Sequence, residues 1–379
     1  MGTGSAMSPT TDEFDEGLRT LGLGSRYREG SPGAFRSLYA TVELAARQMR
    51  DQLVSEVGAS KRVPEILAGV NDSSAFNAFA APLSGRRYII AVNYGTLILI
   101  HDLVHRLFCL PEFFPWVGDP SKEDPTRQFH PTCDDAMSYM RTFITEPRLV
   151  IPRDPLRKQA AAFLIPLAVY FLVAHEFRHI VGGHLGWLNS HSGQMTISEV
   201  LGLERDPGSD LLLQALEMDA DQFAMYYTLM RALAIAKSPE ETLPASLRGI
   251  ISTPLQSLDA ALACALLMIG TFFPPPGPPE EWRFYSHPPA GVRHVMNMWG
   301  ADRALRQLGQ EELSAATLGN QQSVRRYASF TFSHLAQRLG NADRKNELQL
   351  QFRPRGQEHF LEIVNAWGTV QDEVHTCAL

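Results

Sequence analysis

The apolar run from Ala160 to Ala174, which leads directly into His175-Glu176-Phe177-Arg178-His179, constrains the fold of this chain more than any other segment. The run contains no Asp, Glu, Lys or Arg and is shorter than the ~18–20 residues that a membrane span requires, so it indicates a buried helix. We predict a helix from Leu167 through His184, with Pro166 at its start or at a kink and Gly182-Gly183 near its end. The fold must therefore bury a helix that carries two histidines and a glutamate.

The segment from His175 to His179 fits the pattern H-E-x-x-H. Residues four apart lie on one face of a helix, so His175 and His179 can bind one ion while Glu176 reaches a water molecule on that ion. This spacing suits zinc, which lowers the pKa of bound water to about 7 and lets a neighbouring carboxylate take its proton. The alternative is a chance match on a surface helix. The preceding apolar run argues against it, because burying these side chains without a partner is costly.

A catalytic zinc ion normally has three protein ligands, and Glu217 is the best candidate for the third. Asp221 lies four residues further on the same predicted helix, where it can accept a hydrogen bond from a ligand histidine. The alternative is a solvated acidic face. His184 is a secondary candidate, because a helical residue nine positions beyond His175 points away, and the longer three-histidine pattern requires a histidine where Leu185 stands.

A second pair of histidines, His101 and His105, is also four residues apart. Asp102 stands where the motif has glutamate, and no third ligand is evident nearby. We interpret these residues as helix histidines that are satisfied by local hydrogen bonds.

Composition excludes several classes of protein. The chain has 379 residues, 45% of them hydrophobic, and a formal charge of −7 without a dense basic cluster, which argues against nucleic-acid binding. The N-terminus lacks the basic start and apolar stretch of a signal peptide, and the four cysteines form no close-spaced pair. A second apolar run, Ala260 to Phe273, is also too short to cross a membrane. We therefore predict a cytoplasmic protein with reduced thiols and no membrane span.

The fold class that we predict is α+β and mainly helical, with a flexible N-terminus at 1–30, one domain at 31–300 and a helical C-terminal extension at 301–379. The segment 110–157 lacks sustained periodicity and is interpreted as an insertion or a lid, and the polar, glycine-containing segment 185–209 is interpreted as a second insertion. Besides the helix that carries the motif, the predicted elements are helices at 34–57, 95–108, 210–233, 255–272 and from 290, and a strand from Arg87 to Val92.

Four features in chain order resemble the zinc peptidase family that includes the CAAX prenyl proteases and the heat-shock peptidase HtpX. They are Asn77-Ala78-Phe79-Ala80, the His175 motif with His184, Glu217-x-x-x-Asp221, and Ser286-His287-Pro288-Pro289 with Arg293 beyond. The resemblance covers about Ser73 to Met298, and it implies a zincin-like fold with a small sheet beside the cleft.

The resemblance also implies roles for individual residues. One zinc ion would be held by His175, His179 and Glu217, with Glu176 as general base and then acid. Asp221 would orient a ligand, and His287 would stabilise the oxyanion, with the neighbouring Tyr285 as an alternative donor. The segment from Arg87 to Val92 would be an edge strand that binds the substrate by strand addition. Its substrate-binding residues would be Asn77, Ala78, Ile89, Ile90 and Ala91.

The leading hypothesis is a zinc endopeptidase that cleaves a protein or peptide substrate. Two alternatives remain: a trigger-activated defence or toxin-type peptidase with a single target, and a pseudoenzyme or scaffold that keeps zinc for structure. Because the two insertions are large enough to cover a cleft, latency relieved by an activating partner is part of the second hypothesis.

Overall fold

The structure is a computed structural model that describes residues 11–27, 36–57, 64–75, 77–124, 150–193, 197–198, 207–237, 250–272, 278–319 and 354–378. These residues are mainly helical with one small mixed sheet, which confirms the predicted α+β class. The helices are α1 Thr11–Thr20, α2 Arg36–Val57, α3 Tyr94–Phe108, α4 Pro155–Val181, α5 His184–Ser192, α6 Pro207–Ala236, α7 Pro254–Phe272, α8 Ala290–Gln307, α9 Glu311–Gly319 and α10 Pro354–Thr376. The strands are β1 Glu65–Asn71, β2 Ala78–Pro82, β3 Arg87–Asn93 and β4 Ile197–Ser198.

The sheet has the order β1-β3-β2-β4, so the predicted position of Arg87 to Val92 at an edge is wrong. β3 pairs in parallel with β1 and antiparallel with β2. Its residues Ile89, Ile90 and Ala91 are fully buried. Both sets of main-chain groups on β3 therefore already have partners, and these three residues cannot receive an added substrate strand.

On this side of the sheet, β2 lies between β3 and the two-residue edge strand β4. The Asn93 N–H donates to the Asn77 carbonyl at 3.0 Å, so residues at odd positions of β2 turn their main-chain groups towards β3. Ala78 and Ala80 therefore turn theirs outwards. There β4 pairs antiparallel with β2 at Phe79 and Ala80 only. Asn77 is held at the start of β2 by Thr96, whose hydroxyl accepts from the Asn77 N–H at 2.9 Å.

Helix α4 begins well before Pro166, which lies inside it, so the interpretation of Pro166 as the helix start is wrong. Asp154 caps the helix by accepting the Leu156 N–H at 2.9 Å, and Pro155 occupies the first turn, where no intrahelical donor is lost. With 27 residues, α4 is the helix in the described part of the chain that is long and apolar enough to cross a membrane. The length argument against a span was therefore wrong. However, 83% of its most apolar window is buried among the other helices, as in a core helix.

The described parts of the two predicted insertions belong to the core. Side chains at 110–117 pack into the main cluster, and α5 occupies 184–192 with Trp187 buried. Main-chain carbonyls of residues 108–117 surround the Arg157 guanidinium. It donates at 2.7–3.1 Å to the carbonyls of Phe108, Leu110, Phe113, Phe114 and Val117. The lid interpretation is therefore wrong for 110–124, while 125–149 and most of 194–206 lie outside the described residues.

We expect Arg157→Lys to lower the free energy of unfolding by about 2–3 kcal/mol, because lysine has fewer donors than the carbonyls that Arg157 serves. Urea unfolding of the metal-free protein measures this loss. The matched control is Arg153→Lys, at an exposed arginine of the same segment, which should change stability by less than about 0.5 kcal/mol. Equal losses in both variants would contradict the role of Arg157.

Both predicted chain-end boundaries fall inside packed structure. α1 buries Phe14 and Leu18 against the sheet, so the described part of 1–30 is not a flexible tail. The boundary at 300 divides α8, and α10 packs against α5, α6 and α8. Gly183, between α4 and α5, has φ +88°, and a Cβ at this position would collide with the Val374 carbonyl of α10. The C-terminal helix is thus part of the same core as α4.

Candidate metal centre

Helices α4 and α6 pack against each other and bring His175, His179 and Glu217 together in the interior. Each residue offers one ligand atom, and these atoms lie within 4.8 Å of one another. Among the described residues, this is the group of histidine, cysteine and acidic side chains with the geometry to hold a metal ion. The predicted ligand set is therefore assembled in the structure.

The distances between the three groups fit a tetrahedral ion. The two Nε2 atoms of His175 and His179 are 3.0 Å apart. Glu217 Oε2 lies 3.2 Å from His175 Nε2, and Glu217 Oε1 lies 3.4 Å from His179 Nε2. Ligands about 2.0–2.1 Å from a tetrahedral zinc ion would be separated by about 3.3 Å. Glu217 thus approaches the two imidazoles with different oxygens, and the three separations of 3.0–3.4 Å are close to that ligand spacing.

Asp221 supports His175 from the side opposite Glu217. The His175 Nδ1–H donates to Asp221 Oδ1 at 3.0 Å, while Arg293 of α8 donates to both oxygens of the same carboxylate at 2.6 and 2.7 Å. Burial raises the pKa of Asp221, but the charge and hydrogen bonds of Arg293 outweigh it and hold that pKa below its usual value. Asp221 is therefore an ionised acceptor, which directs the Nε2 lone pair of His175 towards Glu217.

His184 lies beside the centre without belonging to the ligand group. Its Nδ1 is 2.8 Å from His179 Nδ1, and its Nε2 is 3.0 Å from Asp219 Oδ2. Burial alone would raise the pKa of Asp219. The charges and hydrogen bonds of Arg178 and His184 have the larger effect and hold that pKa below its usual value, so this carboxylate is also ionised. His184, the secondary candidate for the third ligand, is thus a hydrogen-bond partner of His179.

The resulting polar atoms suit a cation. Burial and the neighbouring positive groups, beginning with His175, hold the pKa of His179 well below its usual value, so the imidazole is neutral. Glu217 Oε2 is buried and receives no hydrogen bond from the described residues. Lone pairs of two imidazoles and one carboxylate facing each other in the interior repel unless a positive ion lies between them. The donor set therefore fits a divalent metal ion.

Glu176 and His287 are the two predicted catalytic residues. Glu176 is buried on α4 and lies three residues before His179, hence on a neighbouring part of the helix surface. His287 is buried in the loop before α8, with Nε2 3.5 Å from Glu217 Oε2 and Nδ1 2.8 Å from the Ser286 hydroxyl. Tyr285, the alternative donor, has its hydroxyl 3.2 Å from Glu281 Oε2. The structure thus places His287 beside the ligand group.

The loop that carries His287 is fixed by Gln214, which the sequence did not reveal. The Gln214 amide donates to the carbonyls of Trp282 and Tyr285, both at 2.7 Å, and its oxygen lies 2.9 Å from Nε2 of His359 in α10. The sequence also did not reveal the roles of Arg178 and Asp219. Their positions on α4 and α6 carry no local signal, because their partners are distant in the sequence.

Among the described residues, no third ligand joins His101 and His105 in a second centre. The His105 Nδ1 lies 2.8 Å from the His101 carbonyl, and burial lowers the pKa of His105 and the pKa of His101, the latter to about 4. This hydrogen bond joins residues four apart on α3, as expected for helix histidines that are satisfied locally.

No protein-family model matches the chain, and no curated protein or solved structure matches it either. The candidate centre is therefore defined by its own geometry, as a buried His175-His179-Glu217 group that can hold a metal ion.

Proposed function

We propose that the protein is a zinc-dependent endopeptidase with a zincin-like catalytic core, similar to the family of the CAAX prenyl proteases and HtpX. The observation that carries this proposal is the convergence of His175, His179 and Glu217 with Glu176 adjacent on the same helix. A structural zinc site normally uses four protein ligands, often cysteines, whereas three ligands leave a position for water. The buried cysteines Cys109 and Cys264 are not part of the group.

In this proposal His175, His179 and Glu217 would hold one zinc ion, which would supply Lewis-acid activation of a water molecule. Glu176 takes the proton of the attacking water and then delivers it to the leaving amine. His287 donates its Nε2–H to the oxygen of the scissile carbonyl as negative charge develops there. Asp221 keeps His175 in the tautomer that presents Nε2.

The substrate binds as an added strand, and β2 replaces β3 as the strand that receives it. α4 packs against β2, and the outward main-chain groups of Ala78 and Ala80 are those that an antiparallel peptide would use. β4 pairs there over two residues only, so a peptide that extends along β2 displaces β4. Ala78 therefore stays in the predicted substrate site, while Ile89, Ile90 and Ala91 leave it.

The test is metal removal and restoration. We expect the purified protein to contain one equivalent of zinc and to cleave an unfolded protein such as reduced casein. A chelator should abolish cleavage, and added zinc should restore it. Glu217→Gln should lower the zinc content at least about 10-fold, because a neutral amide is a much weaker ligand.

The control for Glu217→Gln is Glu373→Gln, at an exposed glutamate of α10. A protein that binds zinc but cleaves no protein or peptide would favour the scaffold alternative. A protein that binds no zinc would refute the proposal.

A further inference from the structure

We propose that Asp219 and His184 form a positioning pair for His179, which sets the tautomer of this ligand and thereby strengthens metal binding. This inference rests on the proposed metal site and deepens it. It assigns to the Asp219-His184 pair, on the His179 side, the role that Asp221 has on the His175 side.

The direction of the hydrogen bonds follows from the carboxylate. The Arg178 guanidinium donates to both oxygens of Asp219, at 2.6 and 3.3 Å, so this carboxylate is an acceptor and His184 donates its Nε2–H to Oδ2 across the 3.0 Å contact. A neutral imidazole has one donor, and His184 Nδ1 is therefore an acceptor. His179 must then donate its Nδ1–H across the 2.8 Å contact. The remaining lone pair of His179 is on Nε2, the atom that faces His175 and Glu217.

The hydrogen bonds of His184 exclude it as a ligand. Its two ring nitrogens are already engaged by His179 and Asp219. It is fully buried, and Gly182 and Gly183 bring it back towards α4, although nine residues separate it from His175. A histidine that bonds to a ligand through one nitrogen and to a carboxylate through the other is a positioning residue.

Arg178 completes the arrangement at the protein surface. Its guanidinium donates to Asp219 at 2.6 Å and lies over the Phe223 ring at 5.3 Å from the centroid. Arg178 and Asp219 line a cavity of about 280 Å³, together with Phe223 and side chains of α6 and α8. The carboxylate of Asp219 is thus reachable by small anions, whereas the ligand group is buried.

This access allows a chemical-rescue experiment. Asp219→Ala removes a carboxylate and leaves the β-carbon, so formate has the size of the missing group. We expect the dissociation constant for zinc, measured by chelator competition, to rise about 10–100-fold in Asp219→Ala. Formate should recover at least half of the loss on a logarithmic scale, whereas chloride at equal ionic strength should not. His184→Leu should lose a similar factor and show no rescue, because the acceptor for the His179 Nδ1–H, which is His184 Nδ1, is gone.

Two further variants separate positioning from folding. His184→Asn keeps an acceptor oxygen near the position of Nδ1, and we expect its zinc affinity to lie within about 5-fold of wild type. His105→Leu, which removes a buried histidine of α3, should leave zinc affinity unchanged. The melting temperature of each metal-free variant is recorded in parallel. Asp219→Ser replaces Asp219→Ala if the latter does not fold, because the short serine side chain still leaves room for formate.

The outcomes are distinct. Zinc affinities of Asp219→Ala and His184→Leu within 2-fold of wild type, with Glu217→Gln still deficient, would overturn the inference and leave the metal site intact. Loss of zinc affinity in Asp219→Ala without any effect of formate would also contradict the inference, because the Asp219 carboxylate would then not be the group that strengthens metal binding. Wild-type protein without zinc affinity would refute the proposed function itself.

Discussion

We expect the Glu176→Gln variant to keep its full equivalent of zinc and to lose at least about 100-fold in the rate of peptide hydrolysis. Glutamine has nearly the same shape as glutamate, and Glu176 is not among the three groups that surround the candidate ion. Metal binding and packing should therefore persist. The amide cannot take a proton from water, so the general-base step is lost.

Zinc content, metal-free stability and peptide turnover of the same preparation measure this separation. Glu373→Gln, at the exposed glutamate of α10, is the control and should keep its activity. A Glu176→Gln protein with undiminished turnover would remove Glu176 from the mechanism. Comparison of protein fragments in cells that express wild type or Glu176→Gln then distinguishes one dedicated target from general proteolysis, and so tests the trigger-activated alternative.

Helices α2 and α7 were predictable because their signals are local. Apolar spacing along 36–57 and the continuous apolar run of α7 need no distant partner to be recognised. β1 was missed, since Glu65–Asn71 lacks strict alternation and is stabilised by pairing with β3 and packing on α2. The wrong prediction that β3 lies at an edge follows from missing β1, because the position of a strand within a sheet depends on partners elsewhere in the chain.

The candidate centre was predictable where helical spacing alone brings groups together. His175 and His179 share one face, as do Glu217 and Asp221, and the requirement for a third ligand connected the two pairs. Asp219 could not be assigned in this way. It points away from the Glu217 face on α6, and its role appears only when α5 returns His184 to the side of α4.

The second large effect concerns the buried pair of Asp221 and Arg293. Their side chains are almost completely inaccessible, and the guanidinium makes two bonds to the carboxylate. Asp221→Asn removes the carboxylate that accepts both bonds from the buried Arg293, and the longer 3.8 Å contact of Arg293 with Glu217 Oε2 does not replace it, so stability should fall by about 3–5 kcal/mol. The same substitution weakens the acceptor of the His175 Nδ1–H, so we also expect zinc affinity to fall about 10–100-fold.

A double variant separates these two consequences. In Asp221→Asn/Arg293→Gln no charge of the pair remains, and the two amides can bond to each other, so most of the lost stability should return, to within about 1–2 kcal/mol of wild type. Zinc affinity should stay low, because His175 still lacks a carboxylate partner. Urea unfolding of the metal-free proteins and chelator competition give the two quantities. If zinc affinity recovers together with stability, Asp221 is only the charge partner of Arg293, and the orientation of His175 must come from elsewhere.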